Sequence, residues 1–284
     1  MSQGNMSRLT PHHERVGQEY ALNNEELRLE NEDPIEYEIT ARYLRRYVPE
    51  GVVVADIGVG GGQYSALLVR QGCRVHLVDV SQHLLDIVAA RFRTQGLSDH
   101  IASIQHASAT DLSHLSDESC DIVLLLGPLY HLMTAQDRQR AVREAAHILR
   151  SRGLVFAAGI NLLTYLRDVI RDDPEDFARR RAFFVDHLFR DGNLTPPGEH
   201  PAMMHVTTTA ELRADLAGAF EEVALIGVES FASKREGARA YLGASPEARD
   251  ALLDLVERTG TTPEGLGVTS HYLYIGRKVT SGDA

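Results

Sequence analysis

The sequence predicts an α/β protein built on a parallel sheet with crossover helices. Three observations carry that expectation. Strand-like apolar runs alternate with helix-like segments from Val52 to Ala158. The first run, Val52–Gly62 (VVVADIGVGGG), ends in an acid and breaks into glycines directly ahead of a helical segment. The length, 284 residues, suits one large α/β domain with insertions, or one domain and a lid.

In chain order, Met1–Pro11 is polar and expected to fray. From His13 to Tyr47 the pattern is helical and strongly charged. Pro34 breaks it and starts a helix whose apolar face is Ile35, Ile39, Leu44 and Tyr47. Pro49-Glu50-Gly51 turns the chain into the first strand, Val52–Ile57. The helix Gln63–Arg70, the strand Arg74–Asp79 and the helix Ser81–Arg93 follow. Next come strands at Ile101–Gln105 and Asp121–Leu126, the helix Ala135–Leu149 and the strand Leu154–Ala158. Ser151-Arg152-Gly153 reads as the helix stop between the last two.

Asn161–His205 is too long for a plain connection. It reads as two helices, Leu162–Arg171 and Pro174–Arg190, then a Gly/Pro-rich loop at Asp191–Pro201. His205-Val206-Thr207 leads into the helix Thr209–Leu216, capped by Thr208 or Thr209. Glu221–Gly227 and His271–Arg277 are the closing strands, with one clear helix between them, Glu247–Thr259. The expected units are an N-terminal helical cap over 1–47, a ligand-binding core over 48–160, a helical lid over 161–205 and the C-terminal part of the sheet over 206–284.

Asp56, Gly58, Gly60 and Gly62 form the pattern D-x-G-x-G-x-G. The chain must turn sharply there while a ligand approaches bare backbone, and glycine permits both. The dinucleotide fingerprint G-x-G-x-x-G finds Gln63 in its third glycine place, and the phosphate loop lacks its lysine. A carboxylate at Asp56 repels a pyrophosphate and attracts an ammonium group, by several kcal/mol at roughly 4 Å in a partly dry site. The expected ligand is a nucleoside with a positively charged tail. Asp79, at the tip of the second strand, is placed to accept both ribose hydroxyls. Its other reading is a helix cap, although Ser81 is the better one. Asp111 is placed either to accept from an adenine amino group or to cap a short turn.

The ordered set Asp56–Gly62, Asp79, Ala109–Leu112 and Gly127–Leu132 resembles the class I S-adenosylmethionine-dependent methyltransferases, over roughly Val48 to Lys278. The resemblance implies a Rossmann-like, seven-stranded, mostly parallel sheet with helices on both faces. It adds N-terminal helices, a helical lid insertion, and adenosylmethionine at the carboxyl ends of the first strands. It assigns to the cofactor Asp56, Gly58, Gly60, Gln63, Asp79, Val80, Ala109, Thr110, Asp111 and Gly127. In related proteins such N-terminal helices cover the cofactor, and here Tyr20, Glu26 and Arg28 stand out. An Arg28 guanidinium either forks onto the methionine carboxylate or pairs with an acid such as Glu32.

Methyl transfer from a sulfonium is an in-line displacement, so the protein supplies mainly alignment and a dry pocket. A neutral acceptor also needs its proton removed. In this fold the segment after the fourth strand faces the reactive methyl, which makes Tyr130 and His131 the catalytic candidates. His131 reads either as a general base or as a residue pinning the next helix through a backbone hydrogen bond, and Tyr130 either acts or walls the pocket. In family members an insertion after the fifth strand builds the acceptor pocket. Tyr165, His187 and His205 are its candidate polar contacts, with Phe183, His187 and Arg190 on one helical face.

The net charge of −11 argues against a nucleic-acid backbone as main partner and favours a small-molecule acceptor. Cys73 and Cys120 read as reduced packing residues of a cytoplasmic protein, and no Cys/His cluster has metal-ligand spacing. No apolar run reaches membrane-spanning length, and no signal-like core opens the chain. The oligomeric state is not legible. The leading expectation is a small-molecule methyltransferase. Its rivals are a cyclase or lyase of the same fold that releases methylthioadenosine, a non-catalytic adenosylmethionine-binding protein and, last, a nicotinamide-dependent oxidoreductase.

Overall fold

Strands that are apolar on both faces must be covered on both faces, and amphipathic helices do the covering. The computed structural model of the chain describes residues 9–22, 29, 33–194 and 204–279. Its sheet contains β1 (Val53–Ile57), β2 (Arg74–Asp79), β3 (Ile101–His106), β4 (Cys120–Leu125), β5 (Leu149–Asn161), β6 (Val206–Thr207), β7 (Phe220–Gly227) and β8 (His271–Lys278). Seven strands run in the order β3-β2-β1-β4-β5-β8-β7, and β6 pairs in parallel with the end of β5. The strands β1 to β5 are mutually parallel, whereas β8 runs antiparallel to both β5 and β7. The strand β6 is the one beyond the expected seven. Two residues are too few for a period-2 signal, so its presence depends on its partner at Ile160 and Asn161.

The helices are α1 (Pro11–Leu22), α2 (Pro34–Tyr47), α3 (Gln63–Arg70), α4 (Gln82–Thr94), α5 (Ala135–Ile148), α6 (Leu162–Asp172), α7 (Pro174–Arg179), α8 (Thr209–Leu216), α9 (Lys234–Gly243), α10 (Pro246–Gly260) and α11 (Pro263–Val268). Alternation along the strands feeds two cores. Val54, Leu124, Phe156 and Ile275 face one core, shared with α2, α3 and α10. Ala55, Val123, Val155 and Ala157 face the other, shared with α5 and α8. Ile35, Ile39 and Leu44 bury the expected face of α2, and Tyr47 is half-buried at its end. Ser81 caps α4 by accepting from Leu84 N–H, and Thr208 rather than Thr209 caps α8, in a reciprocal box with Glu211.

Several boundaries differ from the expected ones. The strand β5 begins at Leu149 and not Leu154, because the helix before it stops at Ile148 and the chain extends at once. The expected helix Pro174–Arg190 breaks at Arg180, which leaves helical geometry (φ −96°, ψ 14°). A π-helical turn, Phe184–Leu188, then interrupts residues 181–191. There the Arg180 guanidinium lies over the rings of Phe183 and Phe184, at 4.8 and 5.5 Å from their centroids. Three helices, α9 to α11, stand where one was expected. Two of the three start at a capping hydroxyl followed by proline, Ser245-Pro246 and Thr262-Pro263. Among the described residues no helix is long and apolar enough to cross a membrane.

Candidate active site

The strand order reverses between β1 and β4, and a crevice opens there at the carboxyl edge of the sheet. It is a cavity of about 1010 Å³, counting the open space at its mouth. The loop after β1 forms its floor. Gly58, Gly60 and Gly62 all have positive φ, +80°, +51° and +75°. A Cβ on Gly58 would lie 2.8 Å from the Pro128 ring, and one on Gly62 2.8 Å from Val88 Cγ1. A Cβ on Gly60 would meet nothing within 4 Å, so bare backbone forms the wall at that point. The loop is pinned from beneath, since Gly58 N–H and Val59 N–H both donate to Val78 O, at 2.7 and 3.2 Å.

Two buried carboxylates flank this loop. Asp56 is 3% exposed and accepts from Ser65 Oγ at 2.6 Å. Burial pushes its carboxyl up to about 7, the Ser65 hydrogen bond opposing and the nearby Asp79 charge adding. Asp79 accepts from Gly60 N–H at 3.1 Å and Ser81 N–H at 2.8 Å. Burial pushes it up to about 6 against those donors. Both carboxyls are thus desolvated at the cavity, and a cationic, hydroxyl-bearing ligand relieves that cost. A carboxylate oxygen accepts more than one hydrogen bond, so Asp79 retains capacity for ribose hydroxyls. Gln63, at the start of α3, and Val80 also line the cavity.

Ala109 lines the cavity beyond β3, but Asp111 does not. The Asp111 carboxylate turns to its own loop and accepts from Ser113 N–H and Ser113 Oγ, at 3.3 and 2.8 Å. Both bonds are made by Oδ1, from a local donor two residues on. Thr110 is buried, lies outside the lining and has its hydroxyl 2.9 Å from Ser108 Oγ. Ser108, which the sequence reading passed over, takes a place in the lining instead.

The helix α1 closes the top. His13, Val16 and Gly17 face the cavity at helical spacing, a pattern present in the sequence but hidden among charges. His13 Nε2 and Ser108 Oγ lie 3.2 Å apart, and burial together with His12 pushes His13 down. His12 Nε2 donates to His131 O at 2.7 Å. A Cβ on Gly17 would stand 2.7 Å from Val80 O, so the helix backbone rests directly on the end of β2. Arg28 lies outside the described residues, as does the side chain of Tyr20.

After β4, Gly127, Pro128, Tyr130 and His131 form the facing wall. Tyr130 is buried, donates to Leu126 O at 3.3 Å and meets the His131 ring edge-on at 4.8 Å. Both catalytic candidates therefore reach the cavity, and His131 is also a backbone anchor for α1.

The three acceptor candidates do not line it. Tyr165 packs edge-on to Phe184 and accepts from Arg180, within the lid's own cluster of Leu162, Phe183, Phe184 and Leu188. His187 stacks on Phe183 and accepts from Arg190 at 3.1 Å, so the expected shared face exists and is spent on the lid itself. His205 is 3% exposed, contacts Asn193 Oδ1 at 3.2 Å and has no partner for Nε2 among the described residues. Burial, then the Arg138 charge, pushes it down to about 4.

One cavity residue had no sequence signal at all. Glu36, on α2, reaches the lining and lies 3.4 Å from His271 Nδ1, which in turn is 2.5 Å from Glu229 Oε1. Glu229 is buried. Despite that burial, the His271 charge and hydrogen bond, Thr269 Oγ1 and the His271 N–H hold it below its ordinary value. These three residues are separated by up to 235 positions, so no local pattern joins them.

Residues 55–157 match the protein family described as a methyltransferase domain. The chain is 33% identical to the methyltransferase GfsG of Streptomyces halstedii over 136 residues, 48% of this chain and 47% of that one. It is 28% identical to the ubiquinone biosynthesis O-methyltransferase of Caulobacter vibrioides over 178 residues, 63% of this chain and 62% of that one. The matches thus span less than two thirds of either relative. Among solved structures, the N-methyltransferase NodS from Bradyrhizobium japonicum, in complex with S-adenosylhomocysteine, shares the fold with a TM-score of 0.57 at 14% identity, covering 95% of this chain and 100% of that one. With the glycine loop, the two flanking carboxylates and the strand order already in place, these matches identify residues 55–157 as a methyltransferase domain of the class I S-adenosylmethionine-dependent kind, with S-adenosylmethionine as its cofactor.

Proposed function

We propose that the chain transfers the methyl group of S-adenosylmethionine to a small-molecule acceptor. The observation that carries this reading is the pair of buried carboxylates, Asp56 and Asp79, set around the bare backbone of Gly60. When bound, the cofactor supplies an electrophilic methyl group on a cationic sulfur. Asp79 holds the ribose hydroxyls, and Asp56 with the first turn of α3 faces the charged amino-acid end. The helix α1, resting on Val80 through Gly17 and on His131 through His12, excludes water from above. Tyr130 and His131 border the acceptor side.

A small acceptor is supported by the net charge of −11 and by a cavity whose described lining includes no lysine or arginine. A relative named for ubiquinone biosynthesis supports it too. The lid over 161–205 is the proposed cover of the acceptor, with Tyr165, His187 and His205 shaping it from within.

The test combines calorimetry with labelling. S-adenosylhomocysteine is expected to bind the folded protein, and Asp79→Ala to weaken it at least tenfold. With methyl-labelled cofactor and a cell extract split by size, label should appear in the low-mass fraction. Label in RNA or protein would overturn the acceptor class. Methylthioadenosine released with no acceptor present would replace transfer by cyclisation or elimination.

A further inference from the structure

The cavity's described lining carries three carboxylates, Glu36, Asp56 and Asp79. The proposed cofactor contacts use two of them, at its ribose and its ammonium ends. The third, Glu36, stands between the first turn of α3 and the root of the proposed acceptor cover. It belongs to α2, whose neighbouring residue Tyr37 stacks on Tyr64 of α3 at 5.5 Å, so α2 lies against the first turn after the glycine loop. Its partner His271 opens β8 and pairs with Ile160 at the carboxyl end of β5, one residue before the lid begins. The lid root is tied to the same turn. Asn161 Nδ2 donates to Thr269 O at 2.8 Å, Asn161 N–H to Ser270 O at 2.9 Å and Thr164 Oγ1 to Thr269 O at 2.7 Å. Glu36 therefore stands where the cofactor cavity, the end of β5 and the lid root meet.

We propose that Glu36 is the carboxylate that selects the acceptor, and that His271 and Glu229 are positioning residues that hold it. An acceptor admitted beside Glu36 is one that presents a hydrogen-bond donor, a hydroxyl or an amine. An anionic group such as a carboxylate or phosphate is repelled. Glu229 is built to steady this arrangement. Its Oε2 accepts from Thr269 Oγ1, Ser270 N–H and His271 N–H at 2.7, 3.1 and 3.0 Å, while Oε1 takes the His271 ring. His271 is thereby fixed with Nδ1 toward both carboxylates. The inference rests on the cofactor reading above and extends it to the acceptor.

Sinefungin tests it without a known acceptor, because this cofactor analogue carries an amine at the position of the transferred methyl. Calorimetry compares sinefungin with S-adenosylhomocysteine on the full chain. Wild type is expected to prefer sinefungin by about tenfold, the effect of one carboxylate near one ammonium in a partly dry site. Glu36→Gln should bring the ratio close to one with S-adenosylhomocysteine affinity kept within about twofold, as an uncharged isostere keeps the shape. Glu36→Asp should restore part of the preference, and His271→Asn should lower it. A preference unchanged in Glu36→Gln overturns the inference, as does an equal loss of both ligands, which would make Glu36 a cofactor or structural residue. A preference that disappears on chelation and returns with a divalent cation also overturns it, since the cluster would then be a metal site. Folded wild type that binds neither ligand overturns the cofactor reading itself, whereas S-adenosylhomocysteine binding with no Glu36-dependent preference sinks the inference alone.

Discussion

Asp56 has one hydroxyl donor, Ser65, and otherwise sits in an apolar strand end. Its ordinary carboxyl value is 3.8, and the folded chain raises it to about 7, so the native state binds this proton more tightly than the unfolded state. Stability is therefore lost as pH rises from 4 through 7, and regained on acidification. Asp56→Asn removes the titration and keeps an acceptor for Ser65. Without ligand it is expected to raise Tm at pH 8 by roughly 3 °C, an effect that shrinks toward pH 5. Affinity for S-adenosylhomocysteine should fall about tenfold in the same variant, as the cationic end loses its partner. Differential scanning fluorimetry across pH with parallel calorimetry checks both halves; a pH-independent difference would show that Asp56 is ionised by some other group. Residues of this kind were legible in the sequence because the acid and the glycines share one loop. Glu36, Glu229 and His271 were not, because only packing of α2 against the start of β8 makes them neighbours.

At the scale of elements, α1 acts as a cover rather than as part of the core. Val16 is buried in it, its backbone at Gly17 lies close against Val80 O, and His12 bonds to His131 O. In Gly17→Leu the added side chain has no room at 2.7 Å from a carbonyl oxygen, and α1 must lift. Stopped-flow displacement of S-adenosylhomocysteine is expected to show dissociation about tenfold faster, while the urea midpoint of the ligand-free protein stays nearly constant, because few core contacts are lost. A large drop in the midpoint would instead make α1 a folding element. The lid illustrates the limit of periodicity. Pro174–Arg190 carries an unbroken helical pattern, yet Arg180 leaves the helix and its guanidinium covers two lid rings. Pattern reports what helix formation permits, and tertiary packing decides where it stops. The cap-plus-proline starts of α10 and α11 were in plain view, whereas β6 required its partner strand.

For the molecule as a whole, the cofactor cavity lies at the reversal of strand order, bordered by the β1 loop, the ends of β2 and β4, and, among the described residues, the helices α1 and α2. Binding there should stabilise the entire fold by linkage. At a hundredfold excess over its Kd, S-adenosylhomocysteine contributes about 2.7 kcal/mol, and Tm is expected to rise by roughly 5 °C or more. NADH at the same concentration should leave Tm unchanged, and the opposite result would return the glycine loop to dinucleotide binding. The sequence by itself determined the parallel sheet, the glycine turn and the acids at the ends of β1 and β2, since strand period, glycine φ and strand-end position are local properties. Only the tertiary structure decided which further groups enter the cavity. Asp111 bonds to Ser113 in its own loop, Ser108 and Glu36 are brought in, Tyr165 and His187 pack on Phe184 and Phe183, and His205 contacts Asn193. A side chain's role depends on what other segments place against it, and those distances are set by the packing of helices and strands far apart in the chain.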